Sequence, residues 1–178
     1  MEPQDRRRAL LELLAQSREP VTGAALADRF GVTRAVIVQD IALLRAGGAA
    51  ILATPQGYVH GAAPRSRGEY TTQVAVRHGP SLADIQAELN AMVDAGAFIR
   101  DVIVEHPLYG ELRGLLMLGS RRDVAEFCAR MEAEGAEPLL TLTGGVHLHT
   151  LEAGSEEVFA QVRRSLAALG MLVEDDSR

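Results

Sequence analysis

The stretch Leu139-Leu140-Thr141-Leu142-Thr143-Gly144-Gly145-Val146-His147-Leu148-His149-Thr150-Leu151-Glu152 restricts the fold more than any other part of the chain. A glycine pair interrupts a run of apolar and β-branched residues, and two histidines follow at i and i+2. Side chains on a strand alternate between faces, so His147 and His149 share one face while Val146, Leu148 and Thr150 share the other. Val146 and Leu148 suit a core, which leaves the paired imidazoles for chemistry. Two imidazoles side by side supply part of a first-row metal site. Residues 139–141 and 146–151 are accordingly predicted as two strands around Thr143-Gly144-Gly145.

The sequence before this stretch alternates strand and helix patterns. Residues 69–77 read as a strand ending at His78. Gly79-Pro80-Ser81 starts a helix to Asp94, with Leu82, Ile85, Leu89, Met92 and Val93 on one side. Residues 98–105 form a second strand, which ends at His106-Pro107, and residues 112–118 a third. Ser120 caps a helix through Glu134, with Val124, Phe127, Cys128 and Met131 inward, and Ser155 opens a last helix to Leu169. The order βαββαββα, with helices on one face of a mixed sheet, predicts an α+β unit. His78 closes one strand and Glu88 lies on the helix that follows, where it can fold back toward that strand end. Together, His78, Glu88, His147 and His149 would offer three imidazoles and one carboxylate. This set suits zinc, nickel, cobalt or ferrous iron rather than calcium or magnesium, which prefer oxygen ligands. Spacing alone also allows Glu88 to be an exposed helix carboxylate and His106 a polar turn residue.

The first 61 residues follow another plan. Ala9, Leu10, Leu13 and Leu14 make a helical stripe that ends at Ser17-Arg18-Glu19-Pro20. After extended Val21, Thr22 caps a helix to Phe30 with Ala25, Leu26 and Phe30 inward. Gly31-Val32 turns the chain, and Thr33 caps a third helix whose stripe is Val36, Ile37, Ile41 and Leu44. Residues 49–54 and 58–60 then make a hairpin around Pro55-Gln56-Gly57. Helix, short strand, helix, tight turn, helix and hairpin is the layout of a winged helix-turn-helix. In that layout Thr33, Arg34, Ala35, Val38 and Gln39 face the DNA groove; Arg34 suits guanine or phosphate, and Gln39 suits adenine.

Charge separates the two halves. The net charge is −6. Residues 1–67 carry nine arginines against six acids, and residues 69–178 carry nine against eighteen, with no lysine in either half. The basic half can meet phosphate and the acidic half avoids it. No apolar run is long enough for a membrane span, and no signal peptide is evident. The single cysteine, Cys128, excludes an internal disulfide framework and fits a cytoplasmic location. The expected organisation is a winged helix-turn-helix over residues 1–61, a linker over 62–68, a ligand-binding unit over 69–173 and a tail over 174–178.

Three stretches carry a family resemblance. Asp101-Val102-Ile103-Val104-Glu105-His106-Pro107-Leu108-Tyr109-Gly110-Glu111 and residues 140–152 resemble the signature of the three-histidine (3H) domain. Arg34-Ala35-Val36-Ile37-Val38-Gln39-Asp40-Ile41-Ala42-Leu43-Leu44-Arg45 resembles the recognition helix that precedes it. Together they are similar to the niacin-responsive transcriptional repressors of bacteria, over nearly the whole chain. The resemblance implies a DNA-binding domain on an HPr-like sensing domain, a homodimer on an operator in double-stranded DNA, and nicotinic acid as co-repressor. The regulated genes would serve NAD synthesis or niacin uptake. It also implies one divalent metal per chain, nickel or zinc, on His78, Glu88, His147 and His149. The interval from His78 to Glu88 is longer than the family's, so Asp84 and Gln86 stand as alternatives if the register slips. His106 and Arg113 are the residues expected beside the effector.

Two other readings share these features. A metal-dependent hydrolase with an accessory helix-turn-helix would need Glu105 or Glu111 as its general base, and no serine or cysteine nucleophile motif is present. A regulator that senses the metal itself would need no organic effector.

Overall fold

Gly57 shows why the N-terminal hairpin closes where it does. It has a φ of +134°, and a Cβ there would lie 2.5 Å from the Val21 carbonyl group, so only glycine lets the two segments meet. The computed structural model describes residues 1–61 and 67–174. The chain divides into two compact units, Met1–Arg65 and Ser66–Arg178. Residues 62–66 of the expected linker and 175–178 of the expected tail lie outside the described residues.

The N-terminal unit consists of α1 (Pro3–Gln16), α2 (Gly23–Phe30), α3 (Arg34–Ala46), β1 (Ile51–Thr54) and β2 (Gly57–His60). The expected caps form: Thr22 Oγ1 accepts from the Ala25 N–H, Thr33 Oγ1 accepts from the Val36 N–H, and Gly31 ends α2 in the left-handed conformation. Val21 bridges Tyr58 and extends the β1–β2 hairpin. Leu10, Leu14, Leu26, Ala27, Ile37, Ile41 and Ile51 make the core. Ala25, expected inward, is exposed, and Ala27 takes its place; a one-position error in helix phase is enough to exchange them.

The C-terminal unit contains β3 (Tyr70–Arg77), α4 (Leu82–Asp94), β4 (Phe98–His106), β5 (Gly110–Leu118), α5 (Arg121–Glu134), a 3-10 helix (Leu139–Thr143), β6 (Val146–Ala153) and α6 (Glu156–Ala168). The strands run in the order β3-β6-β4-β5 and every neighbouring pair is antiparallel, so the sheet is not mixed as expected. The strand expected over residues 139–141 is replaced by the 3-10 helix. Thr141 Oγ1 donates to the Pro138 carbonyl, three residues back, and Thr143 Oγ1, within reach of the Leu140 carbonyl, lies closest to the Val146 carbonyl ahead, so the hydroxyls support a tight helical turn and its exit into β6. The period of two fails there as well, since Leu140 is buried while Leu142 is exposed.

The sidedness of β6 is the other departure. Register pairs His149 with Val74 and Val102, and His147 with Val76, all on the face that also carries Leu151, Ala153 and Ile99. That face packs against α4, α5 and α6 to make the core. The histidines therefore point into the core, and Val146 and Leu148, expected to do so, are half-buried on the opposite face. Burial of imidazoles is tolerated when both ring nitrogens find partners, which is the case here. Cys128 is buried among the α5 core residues, and burial pushes its thiol pKa up, in keeping with a packing role.

Candidate metal centre and nucleic-acid interface

β6 lies inside the sheet, flanked by β3 and β4, so the two histidines sit on a strand held on both sides. His78 follows the end of β3. Gly145, just before β6, has a φ of +102°, and a Cβ there would lie 2.5 Å from the His78 carbonyl oxygen. Glycine at this position lets the end of β3 and the start of β6 come together. Glu88 reaches the same place from α4. It lies on the apolar stripe, three residues after Ile85 and four before Met92, and its side chain is 2% exposed. The geometry thus selects Glu88 over Gln86, which is exposed, and Asp84, which is half-buried in the first turn of the helix.

All three rings face this carboxylate through Nε2. His78 lies 2.7 Å from Glu88 Oε2, and His147 and His149 lie 2.9 and 3.0 Å from Oε1. His147 stands between the other two, with ring centroids 5.0 Å away on either side. The opposite ring nitrogens are held by main-chain carbonyls: His78 Nδ1 by Gly79 at 2.7 Å, His147 Nδ1 by Gly145 at 2.9 Å and His149 Nδ1 by Asp101 at 2.9 Å. A carbonyl oxygen can only accept, so each Nδ1 carries a hydrogen and donates it. In a neutral imidazole Nε2 is then a bare lone pair. Three lone pairs facing a carboxylate repel one another unless positive charge lies among them, either as protons or as a metal ion.

The titration behaviour follows from the same geometry. Burial alone would raise the Glu88 pKa, but attraction from His149 and hydrogen bonds from all three rings hold it well below the usual carboxylate range. Burial likewise opposes a charged His149 and a charged His78, yet the Glu88 carboxylate raises the pKa of both. A main-chain carbonyl on Nδ1 with Nε2 free is the arrangement that orients metal-binding histidines. Three nitrogens and one oxygen fit zinc, nickel, cobalt or ferrous iron. The ligating atoms of His78, Glu88 and His147 lie within 4.8 Å of one another, and His149 joins them through Glu88.

The two residues expected beside the effector are held by partners outside the four-residue cluster. His106 Nδ1 accepts from the Leu108 and Tyr109 N–H groups at 3.1 and 3.3 Å and its ring stacks on Tyr109, so it closes the β4–β5 hairpin. Arg113 pairs in register with Ile103, which pairs in turn with Leu148, on the sheet face opposite the histidine rings, where it binds Asp101 and Glu111. Glu105 and Glu111, the acids that a hydrolase would need, are paired with each other on that opposite face too.

In the N-terminal unit, α3 buries Ile37, Asp40 and Ile41 and leaves Thr33, Arg34, Ala35, Val38 and Gln39 exposed, as a groove-facing set requires. Exposed Leu43 continues this outward face one turn beyond Gln39, a position that helical spacing alone would have found. Sequence reading also passed over Asp40 and Asp101, both buried acids; the signal in each was a carboxylate within an apolar pattern.

Comparison with known proteins agrees with both halves. A 3H domain model matches residues 71–175 and an HTH domain model matches residues 6–59. The chain is 46% identical over 172 residues to a Thermotoga maritima protein named probable transcription repressor NiaR, covering 97% of this chain and 95% of that protein. It is 41% identical over 172 residues to transcription repressor NadR of Bacillus subtilis, covering 96% and 94%. The winged-helix and 3H expectations therefore hold together, and the chain belongs to the family of 3H-domain transcription repressors that includes NiaR and NadR.

Proposed function

We propose that this chain represses genes of NAD synthesis or niacin uptake, with nicotinic acid as co-repressor and a divalent metal in the sensing unit. The observation that carries the proposal is the convergence of three Nε2 lone pairs on Glu88, each ring fixed through Nδ1 by a main-chain carbonyl. His78, Glu88, His147 and His149 would hold the cation, nickel or zinc. When bound, it supplies positive charge and coordination positions that suit a carboxylate or a pyridine nitrogen, the two polar groups of nicotinic acid.

These four side chains are at most 3% exposed, so effector binding involves a local opening around His78 or a seat beside the cluster. His106 remains the proposed effector contact on the β4–β5 hairpin. The exposed face of α3, with Thr33, Arg34, Ala35, Val38 and Gln39, enters the major groove. The protein acts as a cytoplasmic homodimer, and the effector favours the state that sets two recognition helices about 34 Å apart. The effector must bind that state more tightly than the other, since a ligand of equal affinity shifts nothing. No catalytic role is assigned; the relatives are named as repressors, and among the described residues no helix is long and apolar enough to cross a membrane.

The test is a calorimetric titration of nicotinic acid into nickel- or zinc-loaded protein, with nicotinamide as control, followed by operator binding with and without the acid. Saturable binding that is lost on chelation and tightens operator binding supports the proposal. Metal-dependent operator binding that ignores nicotinic acid would replace it with direct metal sensing.

A further inference from the structure

Asp101 is fully buried in the middle of an apolar strand, where a charge is unfavourable unless firmly paired. Its surroundings account for it. β4 runs between β6 and β5, and its register against both slips between Ile99 and Asp101. At this slip one residue serves three partners. Its main-chain oxygen accepts the His149 Nδ1–H at 2.9 Å. Its Oδ1 accepts the main-chain N–H of the next residue, Thr150, at 3.1 Å. Its Oδ2 is paired with Arg113, which in turn binds Glu111 Oε1 at 2.8 Å.

A main-chain donor of β6 thus ends on a side-chain carboxylate, while the main-chain oxygen of the same residue goes to the imidazole. A slip of this kind re-aims groups that a regular ladder would hold elsewhere. We propose that Asp101 is the positioning residue for His149. Its carboxylate holds the Thr150 N–H and so fixes the slip at which its own carbonyl meets Nδ1, which sets the tautomer and aims Nε2 at Glu88. Arg113 anchors that carboxylate from the opposite face of the sheet and acts on the site only through Asp101. The consequence for metal binding rests on the reading of the cluster as a metal centre; the hydrogen-bond chain itself does not.

The test uses the full chain, labelled with 15N in its histidines, as wild type, Asp101→Ala and Asp101→Asn. Ring-nitrogen NMR reads the tautomer and the Nδ1 proton of His149 with and without zinc, competition with a chromogenic chelator gives zinc affinity, and the visible spectrum of the cobalt-loaded protein reports ligand geometry. Asp101→Ala is expected to remove the protected His149 Nδ1 proton and leave those of His78 and His147. It should also alter the cobalt spectrum and weaken zinc by about 10- to 100-fold, the range for loss of groups that orient a ligand. Asp101→Asn keeps an acceptor for Thr150 and should retain the His149 signal at a shifted position, with zinc affinity between Asp101→Ala and wild type. A folded Asp101→Ala protein with an unchanged His149 resonance and wild-type zinc affinity overturns the proposal. If Asp101→Ala does not fold, the Asn variant decides: a shifted His149 ring resonance with weakened zinc binding supports the proposal, and a wild-type resonance with wild-type affinity overturns it. Failure of wild-type protein to bind zinc would defeat the metal reading alone, because the ring resonances of metal-free protein still test Asp101.

Discussion

Each unit buries one carboxylate on the inner side of a helix, and the two are satisfied in opposite ways. Asp40 on α3 is 2% exposed and faces arginines from α1: Arg6 Nε at 2.6 Å and Arg7 at 3.5 Å. Glu88 on α4 is 1% exposed and faces three imidazoles. Arginine stays charged at any ordinary pH, so the Asp40 pair is permanent and ties α1 to α3. Imidazoles facing a carboxylate through lone pairs are complete only when protonated or metal-bound, so the Glu88 cluster is conditional. The difference separates a fixed fastening from a conditional one: the same chemical group, equally buried, is paired with permanent charges in the unit that carries α3 and depends on protons or a cation in the other.

Matching isosteric changes should divide the two most sharply. Glu88→Gln removes the charge that a cation needs and is expected to weaken zinc or nickel by about 100-fold or more, as loss of a direct ligand exceeds loss of an orienting group. Its fold should survive without metal, because the new amide donates to a neutral Nε2. Chelator competition and thermal melts of the metal-free protein check both parts; metal binding at wild-type strength would remove Glu88 from the site. His147→Ala with His149→Ala should likewise abolish metal binding.

Asp40→Asn should behave in the reverse manner. Arg6 and Arg7 keep their charges beside a neutral amide, so the N-terminal unit loses stability, with a fall in its melting temperature of about 5–10 °C. Metal content should not change. A melting curve that shows no loss would mean that the contact between α1 and α3 rests on the apolar core alone.

The exposed residues of α3 proposed to face the groove give a smaller and cleaner effect, because they contribute little to the core. Arg34→Ala should weaken operator binding by about tenfold, the scale of one good base or phosphate contact. Melting temperature and metal content should stay as in wild type. Fluorescence anisotropy with labelled operator DNA measures this; a parallel loss of metal would show that the two units are not energetically separable.

These contrasts also explain what could be read from the sequence. The caps Thr22 and Thr33 and the turn at Gly31 were legible because each depends on neighbours within a few residues. The histidine pair was legible because i and i+2 on a strand must share a face. Which face they share was not, since it depends on where α4, α5 and α6 lie, and the apolar Val146 and Leu148 pointed to the wrong one. The 3-10 helix at Leu139–Thr143 was hidden because β-branched threonines favour strands until their hydroxyls bond nearby main-chain carbonyls. The carbonyls of Gly79, Gly145 and Asp101 that fix the rings have no sequence signature of their own; they depend on register, and for Asp101 on a slip in it.

The smallest expected effect concerns pH, and its sign tests whether the Glu88 cluster is conditional. In metal-free protein the raised His78 and His149 pKa values mean that folding favours protonation of these rings. That contribution is fully present below the ordinary histidine value of about 6.5 and is lost as pH rises through the raised folded values. A metal occupies the same lone pairs and competes with those protons, so it binds better as pH rises. The gap in melting temperature between metal-loaded and metal-free protein should therefore widen from pH 6 to pH 8, by a few degrees for a unit of this size. Asp40 involves no histidine, so the N-terminal transition should hold constant across the same range. A gap that narrows instead would mean that the cluster binds no cation through Nε2, and the contrast between the two carboxylates would reduce to one of packing.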